Sequence, residues 1–226
     1  MERKIEIADS NPLWKDRFKA EKKKLKSVLG KNCIEVYHIG STAVRGLKAK
    51  PIIDIMVVVN DISLAEEVIA KFEESGYVCE DELNMEGRII FVKNAENQAY
   101  RVITFEKSNQ TEIDRHIAVS EYLENHPKIS REYANLKDRL EKEYTCDSKE
   151  YCDGKAEFLD TIEKDAVKWK NRQKNISTGM AKGMCFGVAI GSAFGLMGGN
   201  ITMGMCYGIC FGMLIGMAIG NLKDRE

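Results

Sequence analysis

The chain has 226 residues, and its 34 Lys and Arg are balanced by 35 Asp and Glu, so no charge imbalance indicates a nucleic-acid partner. Its seven Cys include no Cys-x-x-Cys pair, and we expect reduced thiols rather than a zinc site. Nearly all charged side chains precede residue 176, whereas the remainder is apolar and rich in glycine. We therefore expect two domains, a globular one over 1–174 and a helical hairpin over 178–222.

The first part of the chain alternates between helix and strand signals. Residues 11–29 predict an amphipathic helix, because apolar side chains recur at helical spacing among lysines. A short strand is expected at 35–38, and 52–59 is the strongest strand signal, a β-branched run typical of a strand buried on both faces. A capping box over 63–66 predicts a helix that ends near Gly76.

The rest of the globular part carries further strands and then turns helical. Strands are expected at about 77–80, 88–93 and 99–106, the last two as an antiparallel pair, and helices at about 111–125, 127–144 and 149–172. This order of elements indicates an α/β (α+β) fold.

The segment between the first two predicted strands holds the residue types that bind anions. Gly40 and Ser41 form a turn after a strand, where backbone N–H groups and a hydroxyl can face a phosphate. His38, just before the turn, is expected to be a hydrogen-bonded structural histidine. Asp54 is a lone charge inside the apolar strand, and a buried carboxylate needs a metal, a cation or hydrogen-bond donors as its partner.

Five stretches of the chain share one family pattern. Residues 38–55 read His-Ile-Gly-Ser-Thr-Ala-Val-Arg-Gly-Leu-Lys-Ala-Lys-Pro-Ile-Ile-Asp-Ile, and the pattern continues in 76–77, 122–127, 130–137 and 154–158. Over about 10–170 the sequence resembles the GrpB family, which is assigned to the nucleotidyltransferase superfamily by its fold. The resemblance implies a nucleotidyltransferase-like mixed sheet flanked by helices, with a ligand site at the Gly-Ser turn.

The resemblance also implies a function for the turn. We expect it to bind a nucleotide or another phosphorylated small molecule, and the candidate phosphate-binding residues are Gly40, Ser41, Thr42, Arg45 and Lys50. Asp54 would ligate Mg²⁺ and, together with Ser41, would act in nucleotidyl transfer to an unknown acceptor.

The sequence departs from a complete nucleotidyltransferase. Many family members carry a His-x-His pair on a later strand, but 98–106 contains no histidine. Catalytic nucleotidyltransferases usually carry a second acid two residues after the first, whereas this chain has Met56. Glu106 and Asp114 are the remaining candidate helpers, and a two-metal mechanism needs several oxygen ligands. The acidic metal site is incomplete, so the sequence leaves open whether the domain is an enzyme or a non-catalytic binding protein.

The candidate residues also have structural alternatives. Ser41 and Thr42 could instead cap the helix that follows the turn, since such turns serve both roles. Asp54 could be a structural acid that pairs with Arg101 or Lys50, because ion-pair networks also place acids on strands.

The C-terminal part carries glycine at every fourth position in two series. They are Gly179, Gly183, Gly187, Gly191 and Gly195, and then Gly204, Gly208, Gly212, Gly216 and Gly220. No Asp, Glu, Lys, Arg or His occurs over 183–222, and a Gly-Gly-Asn turn at 198–200 separates two copies, each about long enough to cross a bilayer. Since glycine stripes let helix backbones approach closely in lipid, we expect a transmembrane glycine-zipper hairpin.

Basic residues flank this hairpin on both sides. Lysines and an arginine recur over 164–182, and Lys223 and Arg225 follow the second helix. The positive-inside rule then predicts a protein of the cytoplasmic membrane, with the globular domain and the C-terminus facing the cytoplasm. As an alternative to an enzyme, we consider a non-catalytic assembly protein whose hairpin self-associates through its glycine faces. A pore is disfavoured, because no polar stripe lines either helix.

Overall fold

The computed structural model describes residues 7–62, 65–81, 87–95, 98–144 and 149–223. The helices within these ranges are α1 (Leu13–Leu29), α2 (Ala65–Glu74), α3 (Gln110–Asn125), α4 (Pro127–Glu143), α5 (Lys149–Met197) and α6 (Ile201–Leu222). The strands are β1 (Cys33–Ile39), β2 (Ile52–Val59), β3 (Val78–Asp81), β4 (Arg88–Ala95) and β5 (Gln98–Glu106). The chain divides into two compact units, Met1–Ala166 and Val167–Glu226.

The five strands form one mixed sheet in the order β1-β2-β5-β4-β3. β2 and β5 are parallel, while the other neighbouring pairs are antiparallel, including the predicted pair of β4 and β5. β2 lies inside the sheet between β1 and β5, and side chains on both of its faces are fully buried, among them Ile55 and Met56. The continuous β-branched run of β2 therefore predicted its position correctly.

Alternate side chains of the sheet supply two separate cores. Ile53 and Ile55 pack on one face with Trp14 of α1 and Phe72 of α2, whereas Met56 packs on the other face in a cluster that includes residues of β5 and α3. The helices therefore flank both sides of the mixed sheet, as the fold class predicted. Asp54 shares the face of Met56, because side chains two residues apart on a strand point the same way.

A third core joins the segment after the first strand to the later helices. Val44 and Leu47 pack with Leu123 of α3, Tyr133 of α4 and Ile162 of α5. These contacts bring α4 and the first turns of α5 to the Gly-Ser turn, although they are about a hundred residues away in sequence.

The structure moves one predicted helix boundary, and the start of another predicted helix lies where the structure gives no description. The helix predicted at about 149–172 was expected to run on toward the hairpin, and α5 continues without a break to Met197. The chain contains no proline in this region, and the glycines that follow are tolerated within the helix. The predicted capping box begins at residues 63 and 64, which lie outside the described residues.

The two glycine series face each other within one chain. A Cβ placed on Gly183 would overlap the carbonyl oxygen of Gly212, and one on Gly187 would overlap that of Gly208. Such close approach of α5 and α6 requires glycine on both helices. The two glycine faces thus contact each other within the hairpin, and self-association of two copies, the alternative considered above, stays a prediction.

Length and composition make both hairpin helices candidates to span a membrane. Windows within Glu150–Met197 and Ile201–Leu222 have mean hydropathies of 1.4 and 1.7, and only 17% and 11% of these windows is buried. A polar turn separates the helices, in which the Asn200 side chain accepts a hydrogen bond of 3.0 Å from the Met203 backbone N–H.

Candidate functional site

Gly40 places the turn directly against the acid of β2. Its φ is +70°, a left-handed conformation that favours glycine, and an added Cβ would lie 2.7 Å from Oδ2 of Asp54. Its backbone N–H donates to Oγ of Ser120 on α3 at 3.1 Å. The N–H of Gly40 therefore holds the turn to α3, and its expected contact with a phosphate stays a prediction.

Asp54 lies where the sheet brings the turn, β2 and β5 together. In the register of the sheet its neighbours are Ile39 on β1 and Arg101 on β5. Burial raises the pKa of the Asp54 carboxyl to about 6, and nearby positive charges act in the opposite direction. In decreasing order of effect these charges are Arg101, Lys155, Lys137 and Lys50.

Lys137 of α4 is the most buried of these cations, with only 4% of its surface exposed. Its Nζ donates to Oγ of Ser41 at 3.2 Å and to the backbone carbonyl of Lys48. The Nζ also lies 4.4 Å from the centroid of the Tyr133 ring. Burial and the positive charge of Lys155 lower the pKa of Lys137 to about 7. The fold therefore holds this lysine at a place where its charged form is disfavoured by burial and by a neighbouring positive charge.

The other cations reach the same region from separate elements. Nζ of Lys50 and Nζ of Lys155 lie 4.7 Å and 4.1 Å from the centroid of the Tyr151 ring. Arg101 is exposed, and Lys50 and Lys155 are half-buried, so the group opens to solvent. We call Lys50, Arg101, Lys137 and Lys155 the cationic cluster. Lysines and an arginine around the Asp54 carboxylate are residue types that bind phosphate groups.

Thr42 and His38 do not belong to this site. Thr42 is buried, and its Oγ1 lies 3.0 Å from Nε2 of His38. The His38 ring stacks on Phe18 with centroids 4.7 Å apart. His38 faces the α1 side of the sheet, as does its register partner Ile55, whereas Asp54 faces the opposite side. The pairing agrees with a hydrogen-bonded structural role for His38, and the expected contact of the Thr42 hydroxyl with a phosphate stays a prediction.

Arg45 lies on a different surface. Its backbone N–H donates to Oε2 of Glu124 at 2.6 Å, and the residue is exposed. It lines a groove of about 190 Å³ together with Glu124, Ser130 and Arg131. Nothing in this geometry brings Arg45 to Asp54, so its predicted contact with a ligand at the turn stays a prediction.

The helper acids proposed for a metal make contacts of their own, and Glu106 lies away from Asp54. Glu106 pairs with Val59, five residues along β2 from Asp54, which is about 16 Å at the rise of a strand. Its carboxylate accepts hydrogen bonds from Ser108 and from the Ile62 backbone. Asp114 is exposed on α3 and accepts a hydrogen bond from Gln110. Both acids therefore serve local contacts.

The residues present do not fit a resident magnesium ion. Mg²⁺ requires a near-octahedral set of oxygen ligands, commonly with one or two carboxylates and the phosphates of a substrate. Asp54 is a single carboxylate, and its neighbour on β5 is the cation Arg101. Among the described residues, no group of three His, Cys, Asp or Glu could hold a metal ion. Lysines and an arginine already surround Asp54, and their positive charges would repel a metal cation.

Sequence reasoning missed half of the cationic cluster. Lys137 and Lys155 lie on helices far along the chain, and only tertiary packing brings them to the turn. A signal was present, because both lysines fall inside the stretches that share the family pattern, 130–137 and 154–158.

Comparison with known proteins assigns the family. A sequence profile described as GrpB protein matches residues 4–165. The chain belongs to the GrpB family. The UPF0157 protein YqkA of Bacillus subtilis (strain 168) is 35% identical over 173 residues, 76% of this chain but 50% of that protein. The chain therefore spans about half the length of this relative.

Two further GrpB proteins match over most of their own length. The glutamate-rich protein GrpB of Alkalihalophilus pseudofirmus is 33% identical over 153 residues, 66% of this chain and 88% of that protein. The crystal structure of the conserved protein GrpB from Enterococcus faecalis superimposes with a TM-score of 0.68 at 36% identity, and covers 73% of this chain and 99% of that one. The GrpB match ends before the glycine hairpin.

Proposed function

We propose that this GrpB domain binds a nucleotide or another phosphorylated small molecule at the Gly40-Ser41 turn. The observation that carries the proposal is Lys137, a nearly buried cation held at 3.2 Å from the Ser41 hydroxyl. A lysine is buried at a cost unless an anion compensates it. The remaining cations of the cluster reach the same region from β5, α5 and the segment before β2.

The charges of the site support a ligand rather than a purely structural network. Asp54 has a raised pKa and Lys137 a lowered one, so burial disfavours the charged form of both groups. Groups held at such a cost cluster at functional sites. A phosphate would stabilise the positive form of Lys137 and accept hydrogen bonds from the cluster and from Ser41.

Binding is the function that these residues support best, and the same residues lack what nucleotidyl transfer requires. The Ser41 hydroxyl accepts a hydrogen bond from Lys137, which makes it an orienting group. With one carboxylate at the site, the donor set that metal-assisted transfer needs is incomplete.

A thermal-shift screen of the full chain in non-ionic detergent tests ligand binding. ATP, CTP, GTP and UTP are added singly, and a ligand at 100 times its dissociation constant should stabilise the fold by about 2.7 kcal/mol. Lys137→Met should remove the shift, whereas Lys128→Met, an exposed change on the same helix, should keep it. A shift that survives Lys137→Met would contradict this location of the site.

We further propose that the hairpin tethers the GrpB domain to the cytoplasmic face of a membrane. Large apolar side chains project outward from both hairpin helices, and Phe186, Phe194 and Phe211 are 71%, 68% and 64% exposed. A contiguous apolar surface of this kind favours lipid over water. The lysines and arginines that flank the hairpin favour the cytoplasmic side.

A further inference from the structure

We propose that the cationic cluster takes the place of a divalent metal, so that the site binds the phosphate groups of its ligand without magnesium. The inference rests on the proposed phosphate-binding function and specifies how that site works. It concerns Lys50, Arg101, Lys137 and Lys155 around Asp54.

The sheet register supplies the first argument. Arg101 is the partner of Asp54 on the adjacent parallel strand, and partner residues present their side chains on the same face. The residue beside Asp54 is therefore the cation Arg101, whose positive charge can neutralise a phosphate group as a metal ion would. Two residues along β2, Met56 is fully buried in the apolar cluster and offers no oxygen.

The convergence of cations from separate elements supplies the second argument. Lys50 precedes β2, Lys137 is on α4 and Lys155 on α5, yet Lys50 and Lys155 stack on the single ring of Tyr151. Asp54 lies among these cations and lowers their mutual repulsion, and a strongly anionic ligand such as a polyphosphate would lower it further.

Asp54 then has a role different from that of a metal ligand. Its carboxylate packs against the Gly40 turn and offsets part of the positive charge in the absence of ligand. When a phosphate binds, the same negative charge repels it. Removing this charge should tighten binding by about tenfold if Asp54 is a counter-charge, whereas it would abolish metal-dependent binding if Asp54 held magnesium.

Isothermal titration calorimetry separates these two roles. ATP and inorganic tripolyphosphate are titrated into the full chain in non-ionic detergent, in EDTA and then in excess MgCl₂. The wild type should bind in EDTA at least as tightly as in MgCl₂, and Asp54→Asn should bind more tightly than the wild type under both conditions. Thermal melts verify that the isosteric variant stays folded.

A matched pair of charge removals completes the test. Arg101→Gln should weaken binding by about tenfold. Lys107→Gln, just past the other end of the same strand, should leave it unchanged. Binding that requires MgCl₂ and is lost in Asp54→Asn would overturn the metal-free site and leave the phosphate-binding function intact. No binding of ATP or tripolyphosphate under either condition would refute the proposed function, and this inference with it.

Discussion

Burial disfavours the charged form of Lys137 and also that of Asp54. The pKa of Lys137 falls from 10.5 to about 7 through burial, so the unfolded chain binds more protons between these values and the contribution to stability rises with pH across that window. The pKa of Asp54 rises from 3.8 to about 6 through burial, so its contribution falls as pH rises through that range. Removing either charge should therefore help the fold while it changes ligand binding.

Asp54→Asn should raise the stability of the full chain at pH 7. The shift from 3.8 to about 6 sets an upper limit of about 3 kcal/mol on the gain. The gain should shrink as the pH falls from about 6 to 3.8 and disappear well below 3.8, where the carboxyl is protonated in both states. Thermal unfolding at neutral and acid pH measures it, with Asp114→Asn on the exposed face of α3 as the control. An equal gain at both pH values would contradict the linkage.

The affinity of the site for anions should increase as pH falls. Lys137 gains its proton near pH 7 and Asp54 loses its negative charge near pH 6, and both changes favour an anion. Calorimetry with sulfate, whose own charge is constant over this range, measures the dependence. Lys137→Met should abolish the component near pH 7, and a pH-independent affinity of the wild type would contradict these assignments.

At the scale of elements, local patterns predicted most strands and helices, but their pairing required the structure. The β-branched run of β2 and the antiparallel β4 and β5 followed from the sequence alone. The parallel pairing of β2 with β5 joins segments about fifty residues apart, which no local pattern specifies. That pairing sets Arg101 beside Asp54, and helix packing adds Lys137. The turn, its acid and the cations Lys50 and Arg101 were therefore predictable, whereas Lys137 and Lys155 were not.

The packing of α5 on α6 predicts a strong contrast between two glycines. Gly208→Ala places a Cβ where the backbone of Gly187 lies, and such overpacking costs about 1–3 kcal/mol. Gly198→Ala, in the turn, meets only the carbonyl oxygen of Phe194 at 3.4 Å and should be nearly neutral. Thermal unfolding in mild detergent, followed by circular dichroism, compares them. Equal melting temperatures for the two variants would contradict the intramolecular glycine interface.

At the scale of the whole molecule, the GrpB match and the first compact unit end close together, at residues 165 and 166. The hairpin lies beyond the residues that match the family. It could be predicted from the sequence, because candidate membrane-spanning segments are recognised by the length and composition of one stretch of chain and not by tertiary contacts. The domain limits of 1–174 and 178–222 and the orientation across a membrane stay predictions.

Thiol labelling tests that orientation. Cys152 is exposed on the part of α5 that belongs to the first unit. A membrane-impermeant maleimide should label it in inverted vesicles and not in spheroplasts, since we place the GrpB domain in the cytoplasm. Cys152→Ser identifies the signal of this residue. Labelling in spheroplasts would reverse the topology, and release of the protein by alkaline carbonate would show that the hairpin does not span the bilayer.

The contact between Gly40 and Asp54 limits how these two positions can change during the evolution of the family. A side chain at position 40 would meet the carboxylate of Asp54 and would also strain a backbone at φ +70°. The two positions are therefore coupled: a chain that loses glycine at 40 must also shrink the residue at 54 and reshape the turn. In an alignment of relatives, substitutions at these positions should occur together, as a covarying pair, and rarely alone.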